Sequence, residues 1–355
     1  MATLLRAAAL TNYFEVASQL GLNPQRLLTK VGLTRKLLAD PEQRIPLAAV
    51  ITLLEESARI TGCNTFGLRM AQSRHVGDLG VVSLLLTHQR TLRMAVLTMM
   101  RYQHLLNESL AIHIEDAGKT VILRQEVVAD FAAASRQGTE LAIGVLFRMC
   151  AALLGAHWHP LGVSFTHSAP EDLQLHRRIF KCALEFDAEF NGIVCPASDL
   201  DYPNPLADPT MARYAARFID ALPGSGVSSI ADDVRKAIYV GLPMGRATIE
   251  QVAQALGMNL RTLQRRLEES GHTFSELTNE VRRALVLRYM ENPNYRLRRV
   301  AELLGYSILS SFTRWFTTQF GMAPIAWRRT RSSRGEARKS NAPRRSAARA
   351  SLRRQ

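Results

Sequence analysis

The sequence predicts an α+β N-terminal domain followed by an all-α domain built from two helix-turn-helix units. Three observations lead there. An apolar stripe closed by glycine, Ile249, Val252, Ala253, Leu256 and Gly257, is written again as Leu297, Val300, Ala301, Leu304 and Gly305. Each reads as a short amphipathic helix ending in a left-handed turn. From Leu110 the period changes to alternation, a strand pattern. The formal net charge of +14 is confined to the C-terminal third: residues 1–224 hold 21 Lys+Arg and 21 Asp+Glu, residues 225–330 hold 15 and 9, and residues 331–355 hold 9 and 1. A neutral part joined to a basic part with two helix-turn-helix patterns is the footprint of a protein that meets a polyanionic backbone. A generally basic solvated surface would spread its charge.

The elements follow in order. Residues 1–107 read mostly as helices, with Pro24, Pro41 and Pro46 near their starts or breaks. One helix runs over 92–104 with Thr91 as N-cap and Leu92, Val96, Met99 and Met100 on its buried face. Leu110, Ile112 and Ile114 alternate with Ala111, His113 and Glu115, and an extended run resumes at Val121 after a turn at 116–119, which predicts a β-hairpin. A long apolar helix is expected over 131–154, stopped by Gly155. A strand follows at Val163 and Phe165, a helix over 171–180, and a pair of short strands about Asn191-Gly192. Pro203, Pro205 and Pro209 precede a helix over 210–222, and the Pro223 to Gly226 stretch reads as a joint. The expected layout is therefore a mixed α+β domain at 1–222, a linker at 223–229, a DNA-binding domain at 230–330 and a disordered basic tail at 331–355.

In the first unit Thr248 and Gln251 form a capping-box pattern, and Asn259 caps the second helix. If Leu263 and Leu267 face inward, Arg261, Gln264, Arg265 and Glu268 lie on the open face. Arginine can give guanine two hydrogen bonds and glutamine can do the same at adenine, each worth roughly 1–3 kcal/mol of discrimination. Arg261, Thr262, Gln264 and Arg265 are the DNA-contact candidates here. A merely solvated face is the plainer alternative, but the Arg/Gln cluster falls on the helix that the motif presents to a groove. In the second unit Phe312 and Phe316 take the buried role, which leaves Leu309, Ser310, Ser311 and Arg314 as candidates for bases or phosphates. Gly305 is one residue further from its apolar pair than Gly257 is, so a longer second turn is expected. A connecting helix over 275–290, ended by Asn292-Pro293, would set the two reading helices about 34 Å apart, one turn of the duplex.

These residues resemble the DNA-binding domain of the AraC/XylS family of transcription regulators. The likeness runs from Val252 and Ala253 through Leu256, Gly257, Met258, Arg261 to Leu267, Gly271 and Phe274 to Val300, Ala301, Leu304 to Ser307, Ser311, Phe312, Arg314, Phe316, Gly321, Pro324, Trp327 and Arg328. The chain departs from the family's pattern at Ile308, where a polar residue is usual, at Thr317, where a basic one is, and at Ala323. Gly77 to Gly80, Thr91 to Arg93, Arg101-Tyr102, Val163, Phe165, His167, Ala169-Pro170 and Pro205-Leu206 are similar to the sensor domain of the subgroup of that family that includes ornithine-utilisation regulators. The resemblance implies an effector-binding and self-associating domain without identifying the effector.

Other constellations point less far. The four cysteines, Cys63, Cys150, Cys182 and Cys195, lack metal-site spacing and read as reduced thiols, so no metal and no cofactor are expected. His157 and His159 are a close pair with no acidic residue between Glu140 and Glu171, and read as ordinary histidines. Ala17, Leu20, Gly21 and Leu22 look like a third helix-turn-helix, but the domain around them is neutral and local packing explains them. The sequence holds no GxSxG, phosphate-binding glycine loop or HExxH, so an enzyme is not expected. No apolar run of about 18 residues and no signal-peptide pattern are visible, which leads us to expect a cytoplasmic protein with no membrane partner. The expected function is sequence-specific transcription regulation, as an activator responding to a small metabolite. The expected partners are double-stranded DNA, a small-molecule effector, RNA polymerase and a second copy in a homodimer. The alternatives are a metabolite-modifying enzyme domain tethered to DNA and an architectural protein binding DNA through its Arg-rich tail.

Overall fold

The computed structural model describes residues 3–128, 135–222, 229–292 and 294–330. The expected basic tail, most of the expected linker, and Pro293 of the Asn292-Pro293 stop lie outside the described residues. The chain divides into two compact units, Met1–Leu285 and Val286–Gln355.

The first unit opens with β1 (Leu4–Arg6), α1 (Tyr13–Gln19), α2 (Gln25–Lys30), β2 (Arg44–Pro46), α3 (Leu47–Thr61), α4 (Phe66–Gln72), α5 (Val81–Thr87), α6 (Leu92–Arg101) and α7 (Gln103–Leu106). β1 and β2 pair antiparallel, a small sheet not expected from a region read as mostly helical, since three residues are too few for alternation to show. The helix expected over 92–104 is two: α6 is capped by Thr91, whose Oγ1 accepts from Met94 N–H at 3.2 Å, and it gives way at Tyr102 to the single turn α7.

The expected hairpin is β3 (Leu110–Ala117) against β4 (Thr120–Val127). After α8 (Arg136–Leu154) come β5 (Gly162–Ser164), α9 (Gln174–Phe180), β6 (Ala183–Glu185), β7 (Gly192–Pro196), α10 (Ala197–Asp201) and α11 (Pro209–Asp220). The five strands run β3-β4-β7-β5-β6. The pair of strands expected about Asn191-Gly192 is not a hairpin. β6 lies parallel to β5, while β7 is antiparallel to both β4 and β5. The intervening loop is held by Asn191, whose Oδ1 accepts from Thr166 N–H and whose Nδ2 donates to Glu126.

Helix α8 is the centre of this part. Ile143, Leu146, Cys150 and Leu153 belong to the core shared with the sheet, α5 and α6, and Leu141 belongs to the core of α1 to α4. It is long and apolar enough by composition to cross a membrane, yet here its faces are packed against protein. Ahead of it, residues 131–134 of the expected helix lie outside the described residues. The unit ends with α12 (Ile230–Gly241), α13 (Ile249–Ala255), α14 (Leu260–Glu269) and most of α15 (Phe274–Glu291).

The second unit holds the end of α15, α16 (Leu297–Leu303) and α17 (Leu309–Phe320). Its centre is aromatic: Phe312 and Phe316 are fully buried, and the Phe316 ring lies 4.5 Å from Phe320 and 6.1 Å from Trp327, centroid to centroid.

Helices α4 and α8 meet where neither can carry bulk. A Cβ at Gly67 would sit 2.0 Å from the Gln137 carbonyl oxygen. Replacing Gly67 by alanine should therefore cost about 1–3 kcal/mol through forced separation of the helices, which chemical denaturation would measure. An unchanged midpoint would refute the close approach.

Candidate nucleic-acid interface

The first helix-turn-helix is built from reciprocal hydrogen bonds. Thr248 Oγ1 accepts from Gln251 N–H at 3.3 Å and Gln251 Oε1 accepts from Thr248 N–H at 3.1 Å, which is the capping box in full. Val252 and Ala253 are buried. Gly257, at φ +66°, closes α13: Met258 N–H donates to the Ala253 carbonyl at 2.8 Å and Gly257 N–H to Gln254 at 3.0 Å. Two orphan carbonyls of the last turn are thereby satisfied. Asn259 Oδ1 accepts from Thr262 N–H at 2.8 Å and starts α14. With Leu263 and Leu267 buried, the opposite face of α14 presents Arg261, Gln264, Arg265, Arg266 and Glu268 to solvent, and Thr262 is half-buried at its N-terminus. Arg265 Nε lies 3.8 Å from Glu269 Oε1, both side chains well exposed, a pair too weak to hold the guanidinium against a better partner.

The second unit repeats the closure bond for bond. Tyr306 N–H donates to Ala301 and Gly305 N–H to Glu302, both at 2.9 Å, with Gly305 at φ +75°. The second turn is longer, as the spacing predicts: residues 304–308 separate α16 from α17, whereas 256–259 separate α13 from α14. The N-caps differ. Ile308 stands at the start of α17 and no side chain accepts from the helix there. Leu309, Ser310, Ser311 and Arg314 are exposed. Leu309, Ser310, Thr313 and Arg314 line a shallow groove with Thr317 and Thr318; Ser311 stands outside it. Neither Thr317 nor Thr318 is among the DNA-contact candidates of the sequence, although each lies four residues beyond a groove position. Their hydroxyls donate to the carbonyls of Thr313 and Arg314 at 2.8 and 3.0 Å.

A polar cluster in the N-terminal part was also not legible. Glu140 of α8 and His176 of α9 are fully buried, with His176 Nε2 at 3.2 Å, His167 Nε2 at 3.4 Å and Arg136 Nε at 3.2 Å from Glu140 Oε1. Phe165 and Phe186 flank the imidazoles. Among the described residues no group of three His, Cys, Asp or Glu is arranged to hold a metal ion. His157 and His159 go separate ways: His157 Nε2 bonds the Tyr202 hydroxyl at 2.8 Å, and His159 N–H donates to Asp199.

Ile308→Asn should supply the missing cap of α17 and add about 1 kcal/mol of stability, read as a raised Tm; a lowered Tm would refute the cap assignment. Burial pushes the His167 imidazole below its ordinary value of 6.5, an effect only partly offset by Glu140. The unfolded chain therefore binds its proton first. Stability should be full above about pH 6.5 and fall as the pH drops below it, and His167→Gln should flatten that slope in pH-dependent denaturation.

Comparison with known proteins places the chain. Residues 21–204 match the family model described as the arabinose-binding domain of AraC transcription regulators, N-terminal, and residues 252–330 match a helix-turn-helix domain. The HTH-type transcriptional regulator VirS of Mycobacterium tuberculosis is 28% identical over 330 residues, covering 92% of this chain and 97% of that protein. The ornithine utilization regulator of Pseudomonas aeruginosa is 24% identical over the same shares of each chain. The crystal structure of the transcriptional regulator CdpR from Pseudomonas aeruginosa aligns over 86% of this chain and 96% of that one, at 18% identity and a TM-score of 0.41.

Proposed function

The chain belongs to the AraC family of DNA-binding transcription regulators, and on that premise we propose that it reads operator DNA chiefly through α14, under the control of a small metabolite held by residues 1–222. The observation that carries the reading is the exposed row Arg261, Gln264 and Arg265 on the helix that follows the Gly257 turn, backed by buried Leu263 and Leu267. Arginine and glutamine can each make paired hydrogen bonds to purine edges in the major groove. Thr262, beside the helix N-terminus, suits a phosphate. In the second unit Leu309 suits a thymine methyl, and Ser310, Ser311 and Arg314 suit positioning on the backbone.

The division at 222 and 230, the linker between, and the basic tail from 331 as a sequence-independent phosphate binder belong to the same proposal. So do activation through RNA polymerase and self-association. Met211, Tyr214 and Phe218 form an exposed apolar row on α11, of the kind that a second copy covers.

Control requires a path from sensor to reader, and β3 supplies one. Helix α12, the first of the DNA-binding part, packs on this strand. Lys236 of α12 is buried there; desolvation lowers its pKa, opposed by Asp233, Asp232 and the sensor's Glu108. A shift of β3 thereby reaches the helices that carry α14.

Arg265→Ala should weaken binding to a duplex selected from a random-sequence pool by about 1–3 kcal/mol and relax its base preference. Arg314→Ala should weaken binding alike on all sequences and lower the salt slope by about one. Mobility-shift titrations at several salt concentrations separate the two, and an Arg265→Ala protein with unchanged affinity and preference would overturn the assignment.

A further inference from the structure

The N-terminal part contains a cavity of about 120 Å³ at the seam of its two cores. That is on the order of an engineered apolar cavity that holds benzene. Its walls are mainly leucines, valines and alanines, several of them from α3, β3, β4 and α8, with no aromatic side chain among the described lining residues. Six polar side chains interrupt that lining, Arg6, Arg74, Asp78, Asn107, Gln125 and Ser135, and three of them carry a buried atom without a hydrogen-bond partner among the described residues: Gln125 Oε1, Ser135 Oγ and Arg74 Nε. Gln125 is on β4 in the same phase as Val121 and Leu123, whose side chains are in the core, so strand alternation turns it inward. Buried polar atoms are nearly always paired, and three orphans in one largely apolar cavity mark it as a binding site.

The charges limit what that ligand can be. Arg74 donates to the carbonyls of Ala8 and Ala9, both at 2.7 Å, and lies 3.9 Å from Asp78. Arg6, also in the lining, is paired with Glu42. The cationic groups are thus already compensated, and a carboxylate would bring acceptors without a donor for Gln125 Oε1. A pentose would lay several hydroxyls against aliphatic walls with too few partners. A hydroxyl or primary amide both donates and accepts, which suits Gln125 Oε1 and Arg74 Nε together.

We infer that this cavity binds a neutral, short-chain aliphatic molecule with a single hydroxyl or amide head group, anchored by Gln125 and Arg74. This rests on the proposal that residues 1–222 sense a small molecule, and it names the chemistry and place of that sensing.

The test uses the full chain with 1-hexanol and hexanamide as probes, and hexanoate and L-arabinose as comparators, followed by calorimetric titration and Tm. The probes should bind saturably and raise Tm, and the comparators should do neither. Gln125→Leu should weaken probe binding about tenfold, the value of one hydrogen bond in a dry site. Ala142→Phe should fill the cavity and abolish binding while DNA affinity persists; if that variant does not fold, Gln125→Leu decides. Absence of saturable binding, equal binding of hexanoate or arabinose, or unaltered affinity in a folded Ala142→Phe protein would each overturn the inference. Mobility shift is read separately: probe binding with unchanged DNA affinity upholds the site and defeats the sensing role.

Discussion

The packing of α8 between two cores is the constraint on which the N-terminal part depends. Its residues enter both apolar clusters, and nineteen residues of helix span about 28 Å. The docking of α4 on it is tight in both directions. A Cβ at Gly144 would lie 2.6 Å from Ala71 Cβ, and Gln137 holds Gly67 N–H and the Asn64 carbonyl with its two amide ends, at 2.9 and 3.0 Å. A helix fixed on two sides can carry a buried carboxylate. Glu140 sits among Arg136, His167 and His176, where an uncompensated charge would be costly. The apolar composition of α8 follows from its position in the fold.

The two helix-turn-helix units share their closure and differ in what they expose. The glycine turn alone carries no function: Leu22 N–H donates to Ala17 and Leu33 N–H to Leu28, at 2.8 and 2.9 Å, after Gly21 and Gly32, the same six-to-one bond found at Gly257 and Gly305. Those N-terminal turns stand in a neutral region and lead to helices that pack locally. What sets α14 apart is three arginines and a glutamine on its outer face within one helix, above a leucine pair. α17 has instead hydroxyls, one leucine and one arginine over an aromatic core, and it begins at Ile308 without a cap. Positioning tolerates such a surface better than base reading does, because phosphates accept from many donors.

Legibility followed the range of the interaction. The stripe at Val252 and Ala253, the Thr248–Gln251 box, the Asn259 cap and the β3–β4 hairpin are local patterns, and each stands where the spacing puts it. The parallel pairing of β5 with β6 joins residues 21 positions apart through a helix, and no local signal distinguishes it from a hairpin about Asn191-Gly192. Glu140, His167 and His176 come from a helix, a loop and a second helix, so a search for close His and acid spacing passes them by. Thr317 and Thr318 were readable from helical spacing but are not residue types that announce a groove. The tail's positive charge was visible only as composition.

Strand β3 ties these observations together through its two faces. Its inward residue Leu110 lines the cavity, with Gln125 and Val127 beside it on β4, while Ala111 and His113 point to the cleft shared with Lys236 and Val240 of α12. A ligand changes DNA affinity only by as much as it distinguishes two arrangements of that strand and helix. A tenfold difference in DNA affinity needs about 1.4 kcal/mol of such distinction, comparable to one buried hydrogen bond at Gln125. The hydrogen bond at Gln125 is therefore enough by itself to drive the proposed control, provided that it is lost in one arrangement. Since Gln125 is opposite Ile112 in the hairpin register, a small slide of β4 against β3 would break the anchor and disturb the seat of α12 in the same movement.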